Sequence, residues 1–179
     1  MIEDIARIMV SEDALKQKAK ELGEQISRDY AGKSIFVVCI LKGSFMFCAD
    51  LMRYITVPVS IDFMCVSSYG AGSRSSGNIQ ILKDVGVDIR DKDVLIVEDI
   101  IDSGNTLKCL KEMLEGRAAS SVKICTMLNK PSRREVEIDA DYIGFDIEDE
   151  FVVGYGLDYA EKYRNFPFVG VLKREVYEK

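Results

Sequence analysis

The stretch VLIVEDIIDSGNT, Val94 to Thr106, sets three carboxylates beside a turn suited to an anion. Glu98 and Asp99 follow an apolar, strand-like run, and Asp102 comes two isoleucines later. Ser103, Gly104, Asn105 and Thr106 then open what reads as a helix. A helix N-terminus presents unpaired backbone N–H groups and a partial positive charge. Gly104 allows close approach to the backbone, and Ser103 and Thr106 add hydroxyl donors. That combination suits a phosphate monoester. Taken alone, Ser-Gly-Asn-Thr equally suits an ordinary helix cap.

The acids decide between these readings. Facing a phosphate, Glu98 and Asp99 would repel it. They make sense facing sugar hydroxyls, a divalent cation, or positive charge that develops during a reaction. A ribose 5-phosphate meets both demands, with the turn on the phosphate and the carboxylates on the ribose hydroxyls. If the anomeric carbon becomes oxocarbenium-like during glycosyl transfer, the same acids favour that state. A solvated acidic loop end is the plain alternative.

The chain has no histidine. Ser-His triads, Cys-His pairs and HExxH zinc sites are therefore excluded together. Acid–base chemistry falls to carboxylates, lysine, tyrosine or cysteine. A metal would be a hard cation on oxygen ligands, such as Mg²⁺. No GxxxxGK[ST] loop is present, and GAGSRSSG precedes a strand rather than the helix that a dinucleotide fingerprint requires.

These residues need a scaffold, and the hydropathy pattern supplies one. Ser11 caps a helix with Leu15, Ala19, Leu22 and Ile26 on one face. SIFVVCIL, Ser34 to Leu41, is a strand buried on both faces. Lys42 and Gly43 follow it, then a helix over 44–54, an extended segment over 59–66 and a short strand over 79–82. Between the last two, SSYGAGSRSSG at 67–77 is too polar to pack as regular structure. Val94–Val97, Val122–Met127 and Tyr142–Phe145 are further strands, with a helix over 106–114. Strands alternating with helices imply a parallel sheet with right-handed crossovers. Ligands of such sheets sit beyond the carboxyl ends of the strands. Lys42-Gly43, Glu98 to Thr106, and the region of Lys130 should converge there.

With 179 residues, 47% apolar and 30% charged, the chain suits one α/β domain over 1–179. A net charge of −6 argues against a nucleic-acid surface. The N-terminus MIEDIARIMV lacks the basic start of a signal peptide, and no run is long enough to span a bilayer. Cys39, Cys48, Cys65, Cys109 and Cys125 stand singly, as reduced thiols in a cytoplasmic protein.

VLIVEDIIDSGNT resembles the phosphoribosyl-pyrophosphate signature of the type I phosphoribosyltransferases, and most closely their hypoxanthine (hypoxanthine-guanine) branch. The resemblance extends over LKGS at 41–44, SSYG at 67–70, NKP at 129–131 and EFVVGYGLDYAEKYRN at 150–165. It implies a twisted parallel sheet flanked by helices, with a small hood built from the N- and C-terminal segments. The implied reaction transfers ribose 5-phosphate from phosphoribosyl pyrophosphate to a purine in purine salvage, with Mg²⁺, in a homodimer or homotetramer.

The residue roles come with the resemblance. Asp102 is the general base at purine N7, and Lys42, Gly43 and Arg164 hold the pyrophosphate. The peptide before Lys42 can be cis, which residue identity does not decide. Glu98 and Asp99 hold the ribose, directly or through a metal, and Ser103, Gly104, Asn105 and Thr106 cradle the 5-phosphate. Lys130, Phe151, Val152 and Asp158 form the purine pocket, and Asp158 is also a metal position. Ser68 and Tyr69 belong to a lid over 67–77. The rivals are a regulator of the same fold that binds RNA or nucleotides, or a transferase for orotate, adenine or xanthine.

Overall fold

A computed structural model describes residues 1–68 and 79–178. Its main sheet has six strands: β2 (Ile35–Leu41), β3 (Val59–Ser68), β4 (Ile79–Lys83), β5 (Asp93–Ile101), β6 (Ser121–Asn129) and β7 (Tyr142–Asp146), in the order β4-β3-β2-β5-β6-β7. All neighbours are parallel except the edge pair β3–β4. This is the parallel-dominated α/β sheet that the alternating pattern implies.

Strand residues alternate between two cores, as the pleat requires. Val37 and Cys39 of β2, Leu95 and Val97 of β5, and Cys125 and Met127 of β6 pack under α1 (Glu12–Asp29) and α2 (Phe45–Met52). Phe36, Val38, Ile40, Val94, Ile96 and Ile124 face the other way, against Leu107, Leu110 and Leu114 of α3 (Asn105–Glu115). Near-continuous apolar runs in β2 and β5 follow from burial on both faces.

A second, three-stranded sheet in the order β1-β9-β8 joins β1 (Ile5–Val10) to β8 (Val152–Val153) and β9 (Val169–Leu172), antiparallel throughout. The sequence reading passed over all three strands. They are short, and β1 carries a run of exposed positions rather than a clean alternation. A four-residue helix, α4 (Arg174–Tyr177), follows β9.

Two boundaries differ in ways that matter. Glu98 and Asp99 lie within β5, not beyond it, because β6 continues to pair with β5 as far as Ile101 opposite Asn129. Ser67 and Ser68, expected in a loop, extend β3 and pair with Gln80 and Ile79. Tyr69 and the rest of the expected lid lie outside the described residues. All five cysteines are free, and no helix among the described residues is long and apolar enough to cross a membrane.

The α1–α2 contact is close enough to be tested. A Cβ on Gly23 would lie 2.6 Å from Tyr54 Cβ and 3.0 Å from the Tyr54 carbonyl carbon. In an open helix, Gly→Ala gains about 1 kcal/mol. Here overpacking, which costs roughly 1–3 kcal/mol, should reverse the sign. Gly23→Ala is expected to lower unfolding stability in urea; a gain would mean that the helices part without cost.

Candidate active site

Lys42-Gly43, the Glu98–Thr106 segment and Lys130 follow or end β2, β5 and β6, all at the carboxyl edge of the parallel strands. The Leu41–Lys42 peptide is cis. Ser44 is buried, and its hydroxyl donates to the Ile40 carbonyl at 2.6 Å, which ties the loop back onto β2. A methyl on Gly43 would overlap Asp99 Oδ2, and a methyl on Gly156 would overlap the Gly43 carbonyl. Gly156 also has φ +101°, a conformation open to glycine. Three distant positions thus meet with no room for a side chain on either glycine.

Glu98 and Asp99 stand on the floor of this meeting point. Glu98 Oε1 accepts from the Asp99 amide at 3.0 Å, and Asp99 Oδ1 accepts from the Ile100 amide at 2.7 Å. Burial raises the proton affinity of both acids. For Glu98 the adjacent Asp99 charge adds to that rise, and for Asp99 the Arg164 guanidinium works against it.

Beyond them is a pocket of ≈ 200 Å³ lined by Glu98, Asp99, Asp102, Ser103, Gly104 and Thr106, among others. Gly104 is the N-cap of α3 at φ +86° and has no side chain to cap it, and the Ser103 hydroxyl accepts from the Asn105 amide at 3.4 Å. A Cβ there would lie 2.6 Å from Ile138 Cγ2, so packing requires this glycine as much as ligand access does. Asn105 braces this turn. Its amide group reaches Glu135 Oε2 at 2.8 Å and Ser103 Oγ at 3.3 Å, holding the turn rather than lining the pocket.

A second, larger cleft of ≈ 510 Å³ is lined by Asp102, Lys130, Arg133, Phe151, Val152, Leu157 and Tyr177, among others. Lys130 is only 7% exposed. Its Nζ donates to the Glu150 carbonyl at 2.7 Å, which leaves further N–H donors for the cleft. Asp102 Oδ1 accepts from Arg133 Nε at 3.2 Å. Arg133 was not singled out in the sequence. In NKPSRR the informative sign was two arginines just beyond Lys130, and chain order could not say which one turns to Asp102.

The basic residues of the Lys42 loop are held by acids. Lys42 Nζ meets Glu161 Oε2 at 3.1 Å, and Arg164 Nη2 meets Asp158 Oδ1 at 2.8 Å. Arg164 Nη1 donates to the Gly156 carbonyl at 2.8 Å, while its buried Nε finds no partner among the described residues. Asp158 also accepts from the Glu161 amide at 2.8 Å. Its carboxylate therefore joins the Lys42–Arg164 group rather than the wall of the cleft, where Leu157 stands instead. Ser68 ends β3, and its side chain, like Tyr69, lies outside what is described.

A parallel sheet covered by helices on both faces, with a helix N-terminus beside two part-buried acids and a second cleft adjoining them, is the architecture of a transferase that handles a phosphorylated sugar. Residues 9–160 match the phosphoribosyl transferase domain family, and the chain belongs to that family. It is 53% identical over 176 residues to a hypoxanthine-guanine phosphoribosyltransferase of Streptococcus thermophilus, covering 98% of each chain. One from Streptococcus mutans is 52% identical over 177 residues, with 99% of this chain and 98% of the relative covered. A crystal structure of a hypoxanthine phosphoribosyltransferase from Staphylococcus aureus superposes with a TM-score of 0.97 at 51% identity, over 100% of this chain and 97% of the other.

The glycine contact gives the site's first test. Gly43→Ala should reduce phosphoribosyl transfer by at least roughly 10²-fold, because the methyl displaces either the loop or Asp99. Thermal unfolding should shift little, since no core residue moves. Near-normal turnover would mean that the close approach of Gly43 to Asp99 is dispensable.

Proposed function

We propose that the two cavities bind the two halves of one nucleotide, and that this purine-salvage transferase joins hypoxanthine or guanine to ribose 5-phosphate from phosphoribosyl pyrophosphate. One observation carries the reading: Ile100 and Asp102 line both cavities. A ligand with its phosphate at Ser103–Thr106 and its base against Phe151 must pass across Asp102.

In this reading the amides and hydroxyls of Ser103, Gly104 and Thr106 take the 5-phosphate, with Asn105 bracing the turn. Glu98 and Asp99 accept from the ribose hydroxyls, and their charge favours an oxocarbenium-like anomeric carbon. N9 of the base bonds to that carbon as its bond to pyrophosphate breaks. Asp102 accepts the proton at N7, after the carboxylate leaves Arg133. Lys42, the Gly43 backbone and Arg164 receive the pyrophosphate, exchanging Glu161 and Asp158 for phosphate oxygens. The unpartnered Arg164 Nε supports this, since a guanidinium matches two anionic oxygens at once.

The donor set fits Mg²⁺. Among the described residues no three metal-binding side chains form a cage, and Mg²⁺ uses one or two carboxylates together with substrate phosphates and water. Glu98, Asp99 and Asp158 would hold it, and its charge would offset that of the leaving pyrophosphate. The family resemblance further favours a cytoplasmic homodimer or homotetramer.

Asp102→Asn should lower kcat by roughly 10²–10⁴-fold while binding of phosphoribosyl pyrophosphate changes little, because the phosphate turn is intact. Single-turnover rates together with titration of that substrate check both halves; wild-type turnover would remove Asp102 from the mechanism.

Lys130 sets the choice of base. Position 6 of hypoxanthine or guanine is an acceptor, whereas the adenine amino group would face an ammonium donor against donor in a desolvated wall. Such a mismatch discriminates by about 10⁴–10⁵-fold. Lys130→Ala should cut kcat/KM for hypoxanthine far more than for adenine. Measuring both bases in one preparation cancels any loss of folded protein, and an unchanged ratio would free Lys130 of this role.

A further inference from the structure

The ring of Phe151 has one face already occupied. Tyr177 stacks on it with centroids 4.7 Å apart and planes 23° apart, and Tyr159 meets Phe151 edge-on at 5.6 Å. Tyr177 comes from α4, which follows β9 directly, and Val176 and Tyr177 pack on the buried cluster of Val153, Tyr163 and Leu172. The Phe151 backbone is tied to the same strand, its carbonyl accepting from the Leu172 amide at 2.8 Å. Yet Phe151 remains 37% exposed and lines the cleft with Lys130, Asp102 and Tyr177 itself. Phe151 is thus a part-exposed ring with one face against Tyr177, at the wall of a cleft that both rings line.

We propose that Tyr177 is a positioning residue for the purine: it backs Phe151, so that base, Phe151 and Tyr177 form a three-ring stack. This rests on the base-binding reading of the cleft. A ring has two faces, and with one taken by Tyr177 the base stacks on the other. Without that backing, Phe151 would keep only the edge of Tyr159, and binding would have to pay for ordering its side chain. With it, the plane is set before the base arrives, which is where pre-organisation gains affinity. The Tyr177 hydroxyl makes no hydrogen bond among the described residues, so the flat ring itself is the functional part. The direct contacts of Tyr177 are with aromatic and apolar groups, so its effect should fall on the base and not on the phosphate-binding half.

Steady-state kinetics on the full chain test this, with hypoxanthine and phosphoribosyl pyrophosphate varied separately. Tyr177→Ala should raise KM for hypoxanthine about 3- to 10-fold, with kcat and KM for phosphoribosyl pyrophosphate changing less than about 2-fold. Tyr177→Leu keeps apolar bulk without a flat face and should show the same selective rise, which covers the case in which the alanine variant folds poorly. Tyr177→Phe should restore the wild-type value. An unchanged KM for hypoxanthine, an equal rise in both KM values, a fall in KM for hypoxanthine, or failure of phenylalanine to rescue would each overturn the proposal. A wild-type enzyme without hypoxanthine turnover would instead overturn the functional reading beneath it.

Discussion

The pairing of β2 with β5 runs from Ile35 opposite Asp93 to Cys39 opposite Val97 and goes no further. Each strand continues along its other neighbour, β2 with β3 as far as Leu41 opposite Cys65, and β5 with β6 as far as Ile101 opposite Asn129. The sheet therefore opens between its two central strands while both remain anchored on their outer sides. The chain runs outward from β2 to β3 on one side and from β5 to β6 on the other, so the parting coincides with the reversal of strand order. Glu98 and Asp99 are the first residues of β5 past the split, and Lys42-Gly43 follows β2 across from them. Strands held on one edge are rigid enough to fix a carboxylate, and the free edge leaves room for a ligand.

Charge in the site is arranged in exchangeable pairs: Lys42 with Glu161, Arg164 with Asp158, and Arg133 with Asp102. A charge left unpaired in a partly desolvated cleft is costly, so each group has an internal partner. Lys42, Glu161, Arg133 and Asp102 are well exposed, and ion pairs of that kind are worth only about 0–1 kcal/mol. Such pairs can be opened at little expense. Glu98 and Asp99 are different. They are adjacent and part-buried, no ion pair closes on either among the described residues, and only the field of Arg164 offsets their charge.

The layered core was legible because burial on two faces writes itself as unbroken apolar runs, as in Val94–Val97 and Ile35–Ile40. That Glu98, Asp99 and the Ser103–Thr106 turn share one pocket was legible for another reason: they are close in the chain, and local spacing is what a linear sequence preserves. What escaped depends on contact between distant positions. Tyr177 lies 26 residues beyond Phe151, in a helix of four residues with no periodicity to read. The three strands of the small sheet are stabilised by one another across the length of the chain, and their residues do not alternate strictly. Asp158 was assigned to the purine pocket and a metal, and Asn105 to the phosphate, from motif position; their contacts with Arg164 and Glu135 depend on how the chain folds, which motif position does not record.

The contacts among Gly43, Asp99 and Gly156 bear on how such a site can change over generations. The cleft proposed for the base is lined by the side chains of Lys130, Phe151, Val152 and Tyr177, whose size and polarity can vary with the backbone left in place. The Lys42 loop is set by backbone lying against backbone and against one carboxylate, with no space for an added methyl at either glycine. Any enlargement at one of these positions demands a compensating change at another more than fifty residues away in the chain. One half of the site is therefore open to gradual revision, and the other can be revised only in concert.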